Sequence, residues 1–517
     1  MLSVLSVALQ GSVILFVSGN LFAFLLNRQD ALWVRRRLLP IMIGFFAFAM
    51  LMPSKWIVYL ALLAIIPAMA RKRGDIPALY LVVATSLPDL DQPMVVGSLY
   101  LLNISKWLVA GIGAAIAYAM LPPVKNEEIG RRFDLPFVLF LALQVIQARG
   151  NNFTNTLRVE TDVIASYLIP YFVISRSLGR PEDFRRLLLA MGFVGFTLSG
   201  IAIYEAKRTV LLYTTITHRL GIMETISAYS HSRGGVLRAT ASFADATAFG
   251  GFLCTALLCL LPARGAFRAR KYQLFAFFVI FVGIYMANTR SALLGLVVGL
   301  LVYDLFRKNY RSLFRNVALI AAAAVAMVGI AQFSHSMATR IGIAGDAAET
   351  TDYRKLLITR GWEEIRKHPI SGVNPGQAVL SLSDLKQGEG IVDFVNAYIW
   401  YGLTTGIIGM IAFLMGFLLP AIKMVGIRHR LNRIAYGREA GAVVAAVSIY
   451  YAVAAGTAGF GGRAVMIYFS ILAVGAALSG ARPPRRVFPA AGPTSIGRAD
   501  TGSGSSTEGA MLTVAAK

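Results

Sequence analysis

Long apolar stretches with no charge recur along this chain, and they decide what it can fold into. Residues 317–333, 397–422, 441–462 and 464–481 contain no Asp, Glu, Lys or Arg. A hydrocarbon core of ~30 Å is crossed by about 20 apolar residues wound as a helix. Lipid offers no partner for backbone N–H and C=O groups, so such stretches are read as helices. The chain is 56% hydrophobic and only 15% charged, where an ordinary soluble protein is roughly a quarter charged. The expected fold class is therefore all-α, a polytopic integral membrane protein rather than a soluble globular one, with the lipid bilayer as its first partner.

A net charge of +24 raises the question of nucleic acid, but the charge is distributed for another purpose. Basic residues cluster in short connections between apolar runs: Arg35 to Arg37, Arg71 to Arg73, Arg131-Arg132, Arg185-Arg186, Arg268 to Lys271, Arg307-Lys308 and Arg428 to Arg433. Short loops rich in Lys and Arg stay on the cytoplasmic side. The excess charge sets topology, and no nucleic-acid partner is expected. The two cysteines, Cys254 and Cys259, share one apolar run, so no disulfide framework is implied. The first residues, Met1-Leu2-Ser3-Val4, carry no basic region and no small-residue cleavage site. The first apolar run is expected to be retained as a helix.

Placing the basic loops inside gives candidate spans near 8–27, 38–52, 54–70, 76–98, 104–121, 133–147, 161–177, 186–205, 246–263, 272–287, 290–306, 317–334, 397–422, 439–458 and 464–480. The pair flanking Pro53 could be one interrupted helix, so about 12–15 transmembrane helices are expected. Two large external loops punctuate them. The chain then divides into N-terminal transmembrane helices (1–205), a first loop (206–245), central helices (246–334), a second loop (335–396), C-terminal helices (397–481) and a tail (482–517). Long loops in a compact protein are usually functional. The second one predicts a surface helix over 353–367, with Ile358, Trp362 and Ile365 on one face and Pro369 and Gly372 ending it. The tail, rich in Arg, Pro, Gly, Ser and Thr, reads as a disordered cytoplasmic extension.

External arginines run against the charge bias, which makes them the informative residues. Arg233 and Arg238 close the first loop, Arg290 starts a span, and Arg340, Arg354, Arg360 and Arg366 lie in the second loop. Guanidinium stays charged and grips phosphate oxygens in a bidentate fork. The plain alternative is contact with lipid headgroups or pairing with Asp352, Glu363 and Glu364. Arg290 lies between two closely spaced apolar runs, where a charge usually has a defined partner. His368 before Pro369 is a candidate base or a helix C-cap. Asp393 before the 397–422 run is a candidate base or a mark of the helix N-terminus. No nucleotide-binding loop, zinc-protease motif or serine elbow occurs, so the energy must come from an activated substrate.

Three blocks resemble the O-antigen ligase/polymerase superfamily of bacterial membrane proteins. The first is Arg238-Ala-Thr-Ala-Ser-Phe-Ala-Asp-Ala-Thr-Ala-Phe-Gly250. The second is Thr289-Arg290-Ser291-Ala292-Leu293-Leu294-Gly295, with the order of its Ser and Arg altered from the family's. The third runs from Arg354 to Gly376 through Trp362, His368-Pro369 and Gly372-Val373-Asn374-Pro375-Gly376, followed by Asn396-Ala397-Tyr398 and by Gly402 to Gly409. Together they cover roughly 230–415. The resemblance implies a GT-C-like helical fold with two large periplasmic loops in the bacterial inner membrane, working without cofactor, nucleotide sugar or required metal. It implies transfer of an oligosaccharide from undecaprenyl diphosphate to an acceptor glycan. Arg233, Arg238, Arg354, Arg360 and Asn396 would bind the diphosphate or glycan; Arg290, His368 and Asp393 would carry the chemistry. Other polysaccharide-assembly proteins would be partners.

One departure bears on the type of enzyme. Ligases of the family place a His directly before the Asn that opens the span after the second loop, and Val395 stands there instead. The reading is therefore a polymerase of exopolysaccharide or O-antigen repeat units. The alternatives are a ligase to a lipid acceptor, a lipid-linked glycan flippase and a non-enzymatic assembly scaffold. A flippase would show paired repeats and ionisable groups inside its spans. Here the charges gather at span edges, with Asp89 and Asp91 as possible exceptions.

Overall fold

The computed structural model describes residues 2–96, 99–123, 132–148, 152–222, 232–233, 236–243, 245–333, 346–386, 392–460 and 462–481. Arg340, the tail 482–517 and the side chain of Arg233 lie outside the described residues. The helices follow in the order α1 Leu2–Leu25, α2 Arg28–Trp33, α3 Leu39–Leu51, α4 Lys55–Met69, α5 Ile76–Ser86, α6 Lys106–Met120, α7 Leu135–Gln147 and α8 Phe153–Val163. Next come α9 Ile169–Ser177, α10 Pro181–Arg208, α11 Thr214–Arg219, α12 Ala246–Leu260, α13 Arg270–Ala287, α14 Arg290–Arg307 and α15 Tyr310–Phe333. The last are α16 Asp346–Lys367, α17 Pro375–Ser381, α18 Ala397–Gly426, α19 Arg428–Leu431, α20 Gly437–Ala455 and α21 Gly462–Gly480.

Among the described residues, six helices are long and apolar enough to cross a membrane: Val4–Leu25, Pro181–Arg208, Ala246–Ala266, Arg270–Ala287, Ala397–Gly426 and Gly437–Ala455. Shorter apolar helices span Lys55–Met69, Lys106–Met120, Leu135–Gln147 and Val465–Gly480. The chain is a polytopic helical membrane protein. Helix α12 and the middle of α10, Leu187–Ser199, are buried, as befits stretches that are apolar all round. Helices α1 and α13 turn Leu5, Leu9, Phe16, Leu274, Phe278 and Phe281 outward, a surface suited to lipid. Close helix approach rests on small residues. A Cβ at Gly295 of α14 would lie 2.5 Å from the Tyr450 ring of α20.

Local sequence explains several helix starts. Ser54, Ser105, Asn152, Asp245, Asn374 and Asn396 each accept a backbone N–H from the first turn of the helix that follows, the usual work of an N-cap. Pro53 precedes the cap of α4, so the doubtful pair resolves into α3 and α4. Two expectations change. The apolar run 76–98 is not one span: α5 stops at Ser86, and an antiparallel hairpin follows, Gln92–Val96 paired with Leu99–Ile104.

The run 397–422 is also not one rod. Gly406 in α18 has φ +72 and ψ −176, a region essentially closed to residues with a Cβ. In a straight helix Tyr398 and Phe413 would stand about 22 Å apart along the axis; their ring centroids are 5.4 Å apart, and those of Tyr401 and Phe413 are 4.1 Å apart. The helix therefore folds sharply at Gly406. The turn after α16 fills the break: Val373 N–H donates to Leu403 O (2.7 Å) and Ile407 N–H donates to Pro369 O (2.7 Å).

At the other end of the bundle, the basic loops are clasped rather than merely solvated. Arg185 grips Asp30 with both nitrogens (2.7 and 2.8 Å). Asp75 accepts from Arg37 at 3.1 Å, Lys72 pairs with Asp183 at 3.0 Å, and Arg176 forks onto Asp134.

A Cβ at Gly406 would lie 2.4 Å from Ile370 O, whereas one at Gly44 of α3 would meet nothing within 4 Å. Gly406→Ala is expected to cost about 1–3 kcal/mol or more in strain and to lower the melting temperature of detergent-purified protein by several degrees. Gly44→Ala should leave it unchanged or slightly raised. Equal melting of the two variants would contradict the break described here.

Candidate functional site

Glu205, in the last turn of α10, is fully buried. A carboxylate in such a place persists only with hydrogen-bond partners. It accepts from the N–H groups of Leu212 (3.0 Å), Thr240 (3.1 Å) and Ala241 (2.9 Å). Lys106, the first residue of α6, approaches the same segment from another side. Its ammonium is 3.2 Å from Asp89 and donates to Leu87 O (2.6 Å) and Ser242 O (3.1 Å). Two buried charges thus fix residues 240–242. Asp245 then caps α12 through Thr247 N (3.0 Å) and Ala248 N (2.8 Å).

That scaffold holds Arg238, which is only 8% exposed. Its guanidinium donates to Thr247 Oγ1 (3.2 Å) and lies 3.5 Å from Ala287 O, while Ala239 N–H donates to Met286 O (3.1 Å). Arg238 therefore adjoins the turn between α13 and α14. Arg290, half-buried, is the first residue of α14 on the same turn. A helix N-terminus carries partial positive charge, so a guanidinium there adds to a field that already favours an anion. The structure brings Arg238 and Arg290 to one place, at the end of the bundle opposite the clasped basic loops.

A second group sits on the long loop. Tyr353, early in α16, contacts the backbone of Asp393 through its hydroxyl, 2.9 Å from Asp393 O and 3.0 Å from Asp393 N. Arg354 is half-buried beside Asp393. Burial pushes the Arg354 guanidinium below its ordinary value, and the neighbouring Asp393 carboxylate opposes that shift. Asn396 caps α18, its Oδ1 accepting from Tyr398 N (3.0 Å) and Ile399 N (3.2 Å). Arg360 is engaged on the surface with Asp384 (3.1 Å) and Glu363 (3.0 Å). The pairing alternative thus describes Arg360, and Arg366 lies over the Trp362 ring.

His368 follows α16 directly. Its carbonyl accepts from Gly372 N–H (3.0 Å) in the turn that enters the Gly406 break. Its side chain lines an open cleft of about 590 Å³ together with Glu364, Asn374, Gln377, Ser381 and Leu403. Arg354 lies in α16 and His368 directly after its end, 14 residues on, roughly 21 Å at 1.5 Å per residue. Asp393, bound beside Tyr353, and His368 therefore belong to opposite ends of α16 and do not form one acid–base pair. Among the described residues no group of three or more His, Cys, Asp or Glu is placed to hold a metal ion.

Sequence reasoning passed over Glu205 and Lys106 as site residues. Each is a charge at the edge of an apolar run, and that was the available signal. Glu205→Ala leaves three buried N–H groups without their acceptor, at about 1–3 kcal/mol each. This variant should accumulate poorly in membranes as measured by fluorescence-detected size-exclusion chromatography. Glu205→Gln keeps an acceptor oxygen and should accumulate better. Equal and normal yields would show that the carboxylate does not hold the 240–242 segment.

Comparison with known proteins adds a family. Residues 275–414 match the family model described as O-Antigen ligase, a segment that includes Arg290, α16, the cleft and the Gly406 break. Over 188 residues the chain is 29% identical to the O-antigen polymerase of Salmonella muenchen, covering 35% of this chain and 46% of that relative. The chain thus spans about half the length of the curated relative it matches. Over these segments, and in its helical membrane fold, the chain is similar to the O-antigen ligases and polymerases.

Proposed function

We propose that this chain is a polysaccharide polymerase that joins oligosaccharide repeat units carried on undecaprenyl diphosphate at the periplasmic face of a bacterial inner membrane. The observation that carries this reading is buried Arg238 held against the α13–α14 turn, on which Arg290 opens α14, away from the basic loops. Two guanidinium groups beside a helix N-terminus suit a diphosphate at the membrane surface. In the reaction, an acceptor hydroxyl oxygen bonds to the anomeric carbon of the donor. The bond from that carbon to the diphosphate oxygen breaks, and the lipid diphosphate leaves with the electron pair. Arg238 and Arg290 neutralise the charge that grows on the leaving group. A base on the long loop, Asp393 or His368, takes the hydroxyl proton. Arg354 supports the Asp393 end, and Arg233 and Asn396 border the glycan path. Acceptor glycan and bilayer are the partners of this reaction, with other assembly proteins alongside.

A ligase transferring finished glycan to a lipid acceptor is the second reading, favoured by the description of the matching family. Val395 in place of a histidine speaks for the polymerase. The glycan profile of a deletion strain separates them. A polymerase defect leaves single repeat units on the lipid carrier, a ligase defect leaves free polymer, and an unchanged profile removes both.

In that strain, plasmid-borne Arg238→Ala or Arg290→Ala at normal membrane levels should restore less than a tenth of the long-chain polymer. Lys355→Ala, which removes an exposed pair with Asp352, should restore it fully. Full-length polymer from either arginine variant would end the catalytic proposal. Asp393→Asn and His368→Ala, compared in the same assay, identify the base as the one whose loss stops elongation.

A further inference from the structure

The cleft beside His368 has a composition that the reaction site at Arg238 and Arg290 lacks. Its lining is Glu364, His368, Gly372, Val373, Asn374, Gln377, Ser381 and Leu403. That set supplies a carboxylate, an imidazole, two side-chain amides and a hydroxyl, over an apolar strip of Val373 and Leu403. It contains no arginine or lysine. A diphosphate would find no cation there, whereas a sugar offers hydroxyls that donate and accept together with an apolar C–H face. The volume of about 590 Å³ lies within the usual ~300–1,000 Å³ of small-ligand sites.

The walls are held in advance of any ligand. Asn374 Oδ1 accepts from Gln377 N (2.8 Å) and so fixes the start of α17. Residues 369–373 are bonded into the Gly406 break, with Gly372 at φ +59 against the backbone of Leu403 to Gly406. The floor of the cleft is thus the membrane helix itself. Prearranged walls lower the ordering cost of binding.

We infer that this cleft is a glycan-binding subsite that receives the uncharged sugar chain of the acceptor, separate from the arginines that hold the lipid diphosphate. The inference rests on the glycan-joining reading above. Because the subsite borders the fold in α18, a bound chain is steadied against the membrane surface rather than on a free loop.

The test uses full-length protein in lipid nanodiscs. The probe is the set of neutral oligosaccharides released by mild acid hydrolysis of the host strain's own surface polysaccharide. Binding is read by saturation-transfer NMR. The native chain should bind, and Gly44→Ala should bind equally. Ser381→Trp, which fills the cleft, should weaken binding at least tenfold. Gln377→Ala, a milder change that spares the packing, should weaken it about threefold to tenfold through one lost hydrogen bond. Undiminished binding by both cleft variants, or no binding by native protein that still restores polymer in cells, overturns the subsite. Failure of the catalytic reading shows elsewhere, as polymer made by the Arg238→Ala or Arg290→Ala strain. The two failures are therefore distinguishable.

Discussion

The arrangement depends most on how one interrupted helix satisfies its backbone. Gly406 breaks α18 and releases Leu403 C=O and Ile407 N–H from the helical ladder, and apolar surroundings cannot hydrate them. Val373 N–H and Pro369 C=O take their places at 2.7 Å each. Everything beside this exchange inherits its geometry. Helix α16 is set against the first half of α18 by Gly361 on Ile399 and Ile365 on Gly402. His368 is held at the rim of the cleft, and the aromatic stack of Tyr401 on Phe413 locks the fold from the other side.

The two ends of the bundle use charge differently. At the basic end, buried aspartates hold arginines in short bonds, Asp30 with Arg185 being the tightest. Removing one partner of such a pair strands the other, at about 3–5 kcal/mol. At the opposite end, buried Glu205 is committed to backbone N–H groups, and Lys106 to Asp89 and backbone carbonyls. Arg238 and Arg290 are positioned by that framework on the α13–α14 turn. Charge at one end fastens loops; at the other it holds the segment that carries Arg238 against the α13–α14 turn.

Much of the fold was legible because apolar runs and caps are local signals. Asp245 and Asn396 stand directly before the runs 246–263 and 397–422 and cap the helices that start there. The run 76–98 misled because apolar residues without periodicity do not tell helix from strand, and Gln92-Pro93-Met94-Val95-Val96 is rich enough in both. Gly406 was one glycine among several between Gly402 and Gly409, and nothing in spacing says which will bend. Of the site, the arginines were legible as charges against the topological bias. Their grouping was not, since Arg238 and Arg290 meet only through the turn at the end of α13. The 25-position separation of His368 and Asp393 looks short in sequence, but the rigid length of α16 and the contact of Asp393 with Tyr353 keep them apart.

The small apolar cluster under the long loop is shared property. Leu357, Ile365, Ala378, Leu382, Leu385 and Val392 come from the loop, while Ile399 and Leu403 come from α18. The turn after α16 also completes two of its backbone bonds on that helix, so among the described residues the loop shares its core and part of its hydrogen bonding with α18. Loop and helix therefore form one packing unit, and a substitution on either side of the shared cluster is felt by both.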